Sequence, residues 1–349
     1  MGDQPAREAL LAWLKRSARN EEFQFGCIRG LALVADTPAR TALAKLLRET
    51  SSKAARWQCL RECEQLFGPE IERSLLELFN NLEQIDQQED LETQIECARV
   101  LGRIGSPAVA EQFLKLLSAP LEMLVKRAMC EAIAETGNDQ GRERLRALAM
   151  QTDGEPELSF LAALALIRVG DEKLLPNLLL ACASPRCPVE WRRLATQACQ
   201  ECSSELARDF LVQRLLEDPS VKLKEAAVNG LVRFGGPQVM DALRRARRTS
   251  SNDELDFRCL CALASVGDAA ASQELIASLK VPQQKQARRF ATVEVLGLIE
   301  RDEARRTLQR LFEDTTEAEP VRSRCRDMLR SIQRQQGWRA LHHGEWEAP

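Results

Sequence analysis

Histidine is nearly missing from this chain: of 349 residues only His342 and His343 are histidine, and both stand in the stretch GWRALHHGEWEAP. That scarcity removes most acid-base mechanisms that operate near neutrality, because His is the side chain whose ordinary pKa lies there. Long apolar runs are missing too, and no stretch reaches the roughly 18 consecutive apolar residues that span a bilayer. The opening MGDQPAREALLAWLKRSARN alternates charged and apolar residues at helical spacing. It offers no unbroken apolar run and no small-residue cleavage site, which argues against a secretory signal. Ala6 stands where the myristoylation pattern wants Ser or Thr. The expectation is a soluble, cytoplasmic protein without membrane insertion.

Charge of one sign is also scarce. A formal net charge of -3 and a pI near 5.8 leave no global footprint for nucleic acid, though local patches stay open. No glycine-rich phosphate loop, nucleophile elbow or Ser-His-Asp ordering occurs, so no catalytic residue is assigned. Carboxylate pairs such as Glu131 and Glu135 read as solvated helix residues.

What the chain does have is a clock. Gly105, Gly137, Gly170, Ser203, Gly235, Gly267 and Glu300 each close an apolar helical run, at intervals of 32, 33, 33, 32, 32 and 33 residues. The fourth residue before each close is Leu101, Ile133, Leu166, Cys199, Leu231, Leu263 and Leu296, and one further step gives Leu329. The eighth is Cys97, Met129, Ala162, Ala195, Ala227, Cys259, Thr292 and Cys325, mostly small side chains suited to close helix approach. Each unit also carries an upstream helix, such as those at 108–117, 174–182 and 206–216, with Pro107, Pro176 and Pro237 near the starts. A unit of two short helices cannot bury its apolar face alone, so the units must stack.

Earlier units fit less well. Second helices are predicted at 27–36 and 55–68, and the 37-residue step from Gly68 to Gly105 implies an insertion in the acidic stretch Glu83 to Glu92. That stretch reads either as a solvated loop or as part of a binding edge.

The turn Glu217-Asp218-Pro219-Ser220-Val221-Lys222 and the run Glu319-Pro320-Val321-Arg322, with Val125-Lys126 similar, resemble HEAT repeats, particularly the short variety first associated with phycobilisome lyases. The resemblance covers roughly residues 20 to 333. It implies an all-α fold, a right-handed α-solenoid or armadillo-like superhelix of about ten helical pairs. One solenoid is expected over 1–333, with a capping helix at about 5–18 and a tail at 334–349. Trp191-Arg192 and Phe257-Arg258 replace the Val-Arg of the pattern, which leaves the family's acid-to-arginine ladder open in those units. The HEAT-repeat deoxyhypusine hydroxylases hold iron with several His-Glu pairs, whereas no His-Glu dipeptide occurs here.

In HEAT-like arrays the second helices line the concave side. Residues two, six and ten before each close should then form an inward stripe. It comprises Arg99 and Arg103; Arg127, Glu131 and Glu135; Phe160, Leu164 and Arg168; Arg193, Gln197 and Glu201; and Glu225, Asn229 and Arg233. Phe257, Cys261 and Ser265 follow, then Phe290 and Glu294. The three phenylalanines read either as interface anchors beside arginine or as side chains tucked between units.

The leading functional expectation is a non-enzymatic scaffold or adaptor that holds a partner protein or peptide on this stripe. The phycobilisome-lyase resemblance implies an alternative in which a bilin is handled, with Arg168 or Arg233 pairing a propionate. HEAT-like DNA glycosylases imply a third, nucleic-acid binding, which the mixed-sign stripe disfavours. The run from Leu243 to Arg248 is the strongest basic cluster and reads as a dipole-favoured helix terminus or an anionic-partner site.

No metal or cofactor is expected. Cys182, Cys187, Cys199 and Cys202 have suggestive spacing. At 1.5 Å per residue, however, a helix separates Cys187 from the last two by about 18 Å, far beyond a Zn-S bond of about 2.3 Å. The cysteines of the eighth-residue column read as small buried hydrophobes, and a disulfide framework is not expected. The tail reads as a frayed terminus, or as a docking or ion-binding segment through Trp338, Trp346 and the two histidines.

Overall fold

The structure is a computed structural model that describes residues 4–16, 20–50, 52–66, 68–81, 88–151, 155–183, 187–279, 285–299 and 302–343, with backbone alone at 15, 88–90 and 335–343. Among the described residues the regular structure is helical, without strands. The helices fall into two compact units, Met1–Pro185 and Arg186–Pro349.

In the first unit α1 (Gln4–Arg16), α3 (Thr37–Glu49), α5 (Pro69–Asn81), α7 (Pro107–Leu116) and α9 (Asp139–Ala149) alternate with α2 (Glu21–Val34), α4 (Lys53–Cys63), α6 (Gln88–Ile104), α8 (Met123–Glu135) and α10 (Pro156–Arg168), before α11 (Leu175–Cys182). Each second helix packs on the next second helix, α2 on α4, α4 on α6, α6 on α8 and α8 on α10. That is the stacking of an α-solenoid. The second unit repeats it. There α12 (Val189–Glu201), α14 (Val221–Phe234), α16 (Asp253–Ser265), α18 (Gln286–Leu298) and α20 (Glu319–His343) alternate with α13 (Glu205–Glu217), α15 (Gly236–Thr249), α17 (Ala269–Ser278) and α19 (Asp302–Glu313). Helix α20 runs through position 334 without a break, and Gln88 to Glu92, expected in a loop, open α6.

Local chemistry sets the boundaries. Asn20, Asp36, Ser52, Ser106, Asn138, Ser204, Asn252 and Asp268 each accept a backbone N–H in the first turn of the helix they precede. Such caps contribute about 1 kcal/mol apiece. The expected closing glycines 105, 137, 170, 235 and 267 all have positive φ, where a Cβ is penalised. Ser203 does not share this, because α12 ends through Cys202 in extended backbone. In the first second helix the same position falls to Ala35, at φ 53.

Both predicted core columns are interior. The fourth-residue column from Leu101 to Leu296 is at most 2% exposed and the eighth-residue column from Cys97 to Cys325 is fully buried. Leu329 packs against the last core cluster and is partly buried. A close backbone approach comes from a different position. A Cβ at Gly102 in α6 would stand 2.6 Å from the Cα of Ala132 in α8.

At α20 one seam changes character. The seventh residue before the close is Ala98, Cys130, Ala163, Thr196, Val228, Leu260 and Val293, all buried. One step further gives Arg326, which is exposed, and Arg330 follows it one turn on, also exposed. A polar outer face on a stacked helix blocks further stacking.

Candidate functional site: the exposed stripe of the second helices

In the first unit the stripe carries Arg99 and Arg103 on α6, both exposed. Arg99 pairs with Glu96 at 3.3 Å and Arg103 reaches back to Glu64 at the end of α4, at 2.5 Å. On α8, Arg127 donates to Glu131 at 2.9 Å, and Arg168 of α10 donates to the same Glu131 oxygen at 2.6 Å. Glu135 is exposed beyond them. Arg103 and Arg168 therefore strut one second helix to the next, while Arg99 and Arg127 pair within their own helices.

In the second unit Arg193 pairs with Glu190 on its own helix at 2.5 Å, a bond that raises the guanidinium pKa. Arg233 of α14 donates to the carbonyl of Gln200 on α12. Glu225 lies 3.7 Å from Arg258, and Glu294 takes Arg324 at 2.7 Å. Gln197, Glu201 and Asn229 are exposed, while Ser265 turns back onto the Cys261 carbonyl.

The phenylalanines take the tucked reading. Phe160 and Leu164 are 2% exposed, Phe257 is buried beneath Arg288, whose guanidinium carbon sits 4.9 Å from the ring centroid, and Phe290 packs on the core. Helical spacing puts these positions on the stripe, but packing takes their rings inward. Phe160 and Phe257 thus offer little ring surface to a partner, while Phe290 stays partly exposed.

Of the two units where the pattern left the acid-to-arginine ladder open, the one at Arg192 has it, whereas Arg258 meets Glu225 and Glu254 instead. Arg192 donates to Asp218 at 2.5 Å, and Lys126 with Glu155 and Arg289 with Glu317 repeat the pairing at the same repeat position. The basic run on α15 is half spent: Arg244 binds Asp268 and Asp241, and Arg247 binds Asp256 and Glu274. A recess of about 700 Å³ among α17 to α20 is lined by Arg289 and Glu317, which already neutralise each other.

Eleven of the twelve cysteines are buried, and Cys261 is half-buried. Residues 82–87, in the acidic insertion, lie outside the described residues, as do Trp346 and the side chains of Trp338, His342 and His343.

The sequence reading missed the stripe of α2 and α4. Taking Gly68 as the close shifted the register by one residue, whereas the buried cysteines restore it: Cys27, Cys59 and Cys97 share one interior column. Two residues after each stands an exposed arginine, Arg29, Arg61 and Arg99. The signal is in the sequence as F-G-C-I-R, W-Q-C-L-R and I-E-C-A-R.

Helical pairs stacked in this way, with acid-to-base pairs joining several of the repeats, define a helical-repeat protein. Residues 208–292 match the family of HEAT repeats, about a quarter of the chain. Among curated proteins none matches the sequence. Among solved structures, human deoxyhypusine hydroxylase in complex with glycerol is similar at 20% identity and a TM-score of 0.37, covering 86% of this chain and 98% of that one. At that overlap nothing about activity follows. Among the described residues no helix is long and apolar enough to cross a membrane.

Proposed function

We propose that the chain is a non-enzymatic interaction scaffold, with a partner protein or peptide held against the exposed stripe of its second helices. Repeats that stack in one dimension present long, regular surfaces, and their residue-to-residue spacing is set by the stack rather than by a single pocket. The observation that carries the reading is the pair Arg99 and Arg103, exposed on one face of α6 and each pre-oriented by a carboxylate. Pre-oriented guanidiniums lose less side-chain entropy on binding, and Arg is enriched where interfaces draw their energy. The sign alternates along the stripe, Arg103, Glu135 and Arg168 in one unit and Glu201 and Arg233 in the other. That pattern suits a protein surface better than a uniformly anionic duplex.

Affinity capture with the full chain, followed by mass spectrometry, tests this against a variant with Arg99→Glu and Arg103→Glu. Proteins held by the native chain and lost by a variant of unchanged helical circular dichroism support the assignment. Undiminished capture moves the site off this stripe, and capture of nothing removes the scaffold reading.

A further inference from the structure

The geometry points to a specific occupant for the first three second helices: an extended, acidic, proline-rich peptide segment that crosses α2, α4 and α6 and places a carboxylate on each of Arg29, Arg61 and Arg99. This deepens the scaffold reading and rests on it.

The register comes from the core. Cys27, Cys59 and Cys97 are each at most 2% exposed, so the three helices share one rotational setting about their axes. Two residues later on each helix, Arg29, Arg61 and Arg99 emerge on the same face; two residues earlier, Phe25, Trp57 and Ile95 lie half-buried beside them. The result is a row of cations running across the helices, next to a row of apolar side chains.

The neighbouring carboxylates do not cover these charges. Arg29 is 3.7 Å from Glu62, but its side chain is 70% exposed against 21% for the glutamate. Arg99 is 50% exposed over a Glu96 that is 16% exposed. The carboxylates sit at the base and the guanidiniums outermost, so the surface an approaching group meets is cationic. Among the described residues Arg61, in the middle of the row, makes no ion pair. A guanidinium has five N–H donors, and a single carboxylate beneath it leaves several for a ligand.

Spacing selects the backbone of the occupant. Packed helices lie about 8 to 10 Å apart, so successive arginines leave neighbouring helices at about that interval. A polyproline II segment turns once in three residues at about 3.1 Å each, so every third side chain returns to one face at about 9.3 Å. A β-strand brings same-face residues back at about 6.6 Å, and an α-helix at one or two turns, about 5.4 or 10.8 Å. Only the first matches the row. Proline rings on that segment would find Phe25 and Trp57, since aromatic shelves are what polyproline ligands dock on.

The test uses the full chain and a fluorescein-labelled synthetic peptide, (Glu-Pro-Pro) repeated five times, read by anisotropy. The expected result is saturable binding that weakens as salt is raised and falls by about tenfold or more in Arg61→Glu. Arg61 is exposed, so the variant is expected to keep the native melting curve; Arg61→Ala serves as a second, milder variant. Equal binding of (Lys-Pro-Pro) repeats, no loss in either Arg61 variant, or a preference for a duplex oligonucleotide would overturn the assignment. If the acidic peptide fails while Arg99→Glu with Arg103→Glu still abolishes capture, the occupant is wrong and the scaffold stands. If both fail, the scaffold falls as well.

Discussion

The carboxylate of Asp218 is fully buried, and it receives Arg192 from α12 at 2.5 Å and Arg214 from α13 at 3.3 Å, while its second oxygen takes the N–H of Ser220 at 2.9 Å. One side chain thus ties two helices to the turn that opens α14. Asp218→Ala would leave two largely buried guanidiniums without a counter-charge, and breaking a buried pair in that way costs about 3 to 5 kcal/mol. Urea unfolding measures it; a loss below about 1 kcal/mol would show that water already screens the cluster.

Backbone geometry gives a pair of opposite predictions. Gly102→Ala forces a methyl against the Cα of Ala132 and should destabilise by about 1 to 3 kcal/mol, because backbone cannot yield as a side-chain tip can. Ala35→Gly relieves a left-handed residue and should stabilise by about 0.5 to 1 kcal/mol, the strain removed exceeding the added freedom of the unfolded chain. Thermal melts of both variants against the native chain decide the signs.

Acid sensitivity should trace to the capping carboxylates. Burial opposes the charge on Asp268, but the N–H of Ala271 and the guanidinium of Arg244 outweigh it and hold the carboxyl below the ordinary value of 3.8. Asp36 is lowered first by the N–H of Ala39, then by Arg7. A folded pKa below the unfolded one means that the unfolded chain takes up protons first as pH drops. The contribution is therefore complete above about pH 4 and disappears as pH falls through the depressed folded value. Asp268→Asn keeps a cap but not the charge, so its denaturation midpoint should vary less than the native one between about pH 6 and about pH 3. Identical pH profiles would detach Asp268 from acid unfolding.

Thiol chemistry should be silent in the folded state. Burial pushes the Cys63, Cys259 and Cys261 thiols up to about 12 and Cys325 to about 11, and raises Cys27, Cys59, Cys97 and Cys130 as well. Since the thiolate is the nucleophile, a chromogenic disulfide reagent at mildly alkaline pH should find almost no fast-reacting thiol natively. All twelve should appear in guanidinium chloride. A rapid native phase of several thiols would mean that the helices open far more readily than their packing implies.

The arginines on α20 should keep its outer face single. Replacing Arg326 and Arg330 by Leu restores the apolar seam used between interior units, and sedimentation should then show concentration-dependent self-association. A variant that stays monomeric at all concentrations would deny the seam that role.

Much of this architecture was legible before any coordinates. Spacing of Leu101, Ile133, Leu166 and their successors marked the interior column, and the glycines marked the turns, because both signals are local and periodic. The stripe was legible only in part. Arg99, Arg103 and Arg168 face outward as their spacing implies, yet Phe160 and Phe257 at equivalent positions point inward, since a large apolar ring follows the available cavity rather than the helical average. Arg29 and Arg61 were hidden by a close assigned to a glycine, when Ala35 shows that the left-handed position tolerates another residue at a cost.

By itself the sequence determined the helical pairs, their period and the residues that must be interior, because burying one face of a short helix is a matter of periodicity along a single chain. Only the tertiary structure decided which carboxylate each arginine meets. Ion pairs such as Arg168 with Glu131, 37 residues apart, depend on how far one helix is rotated and shifted against the next, and side-chain packing at the contact sets that.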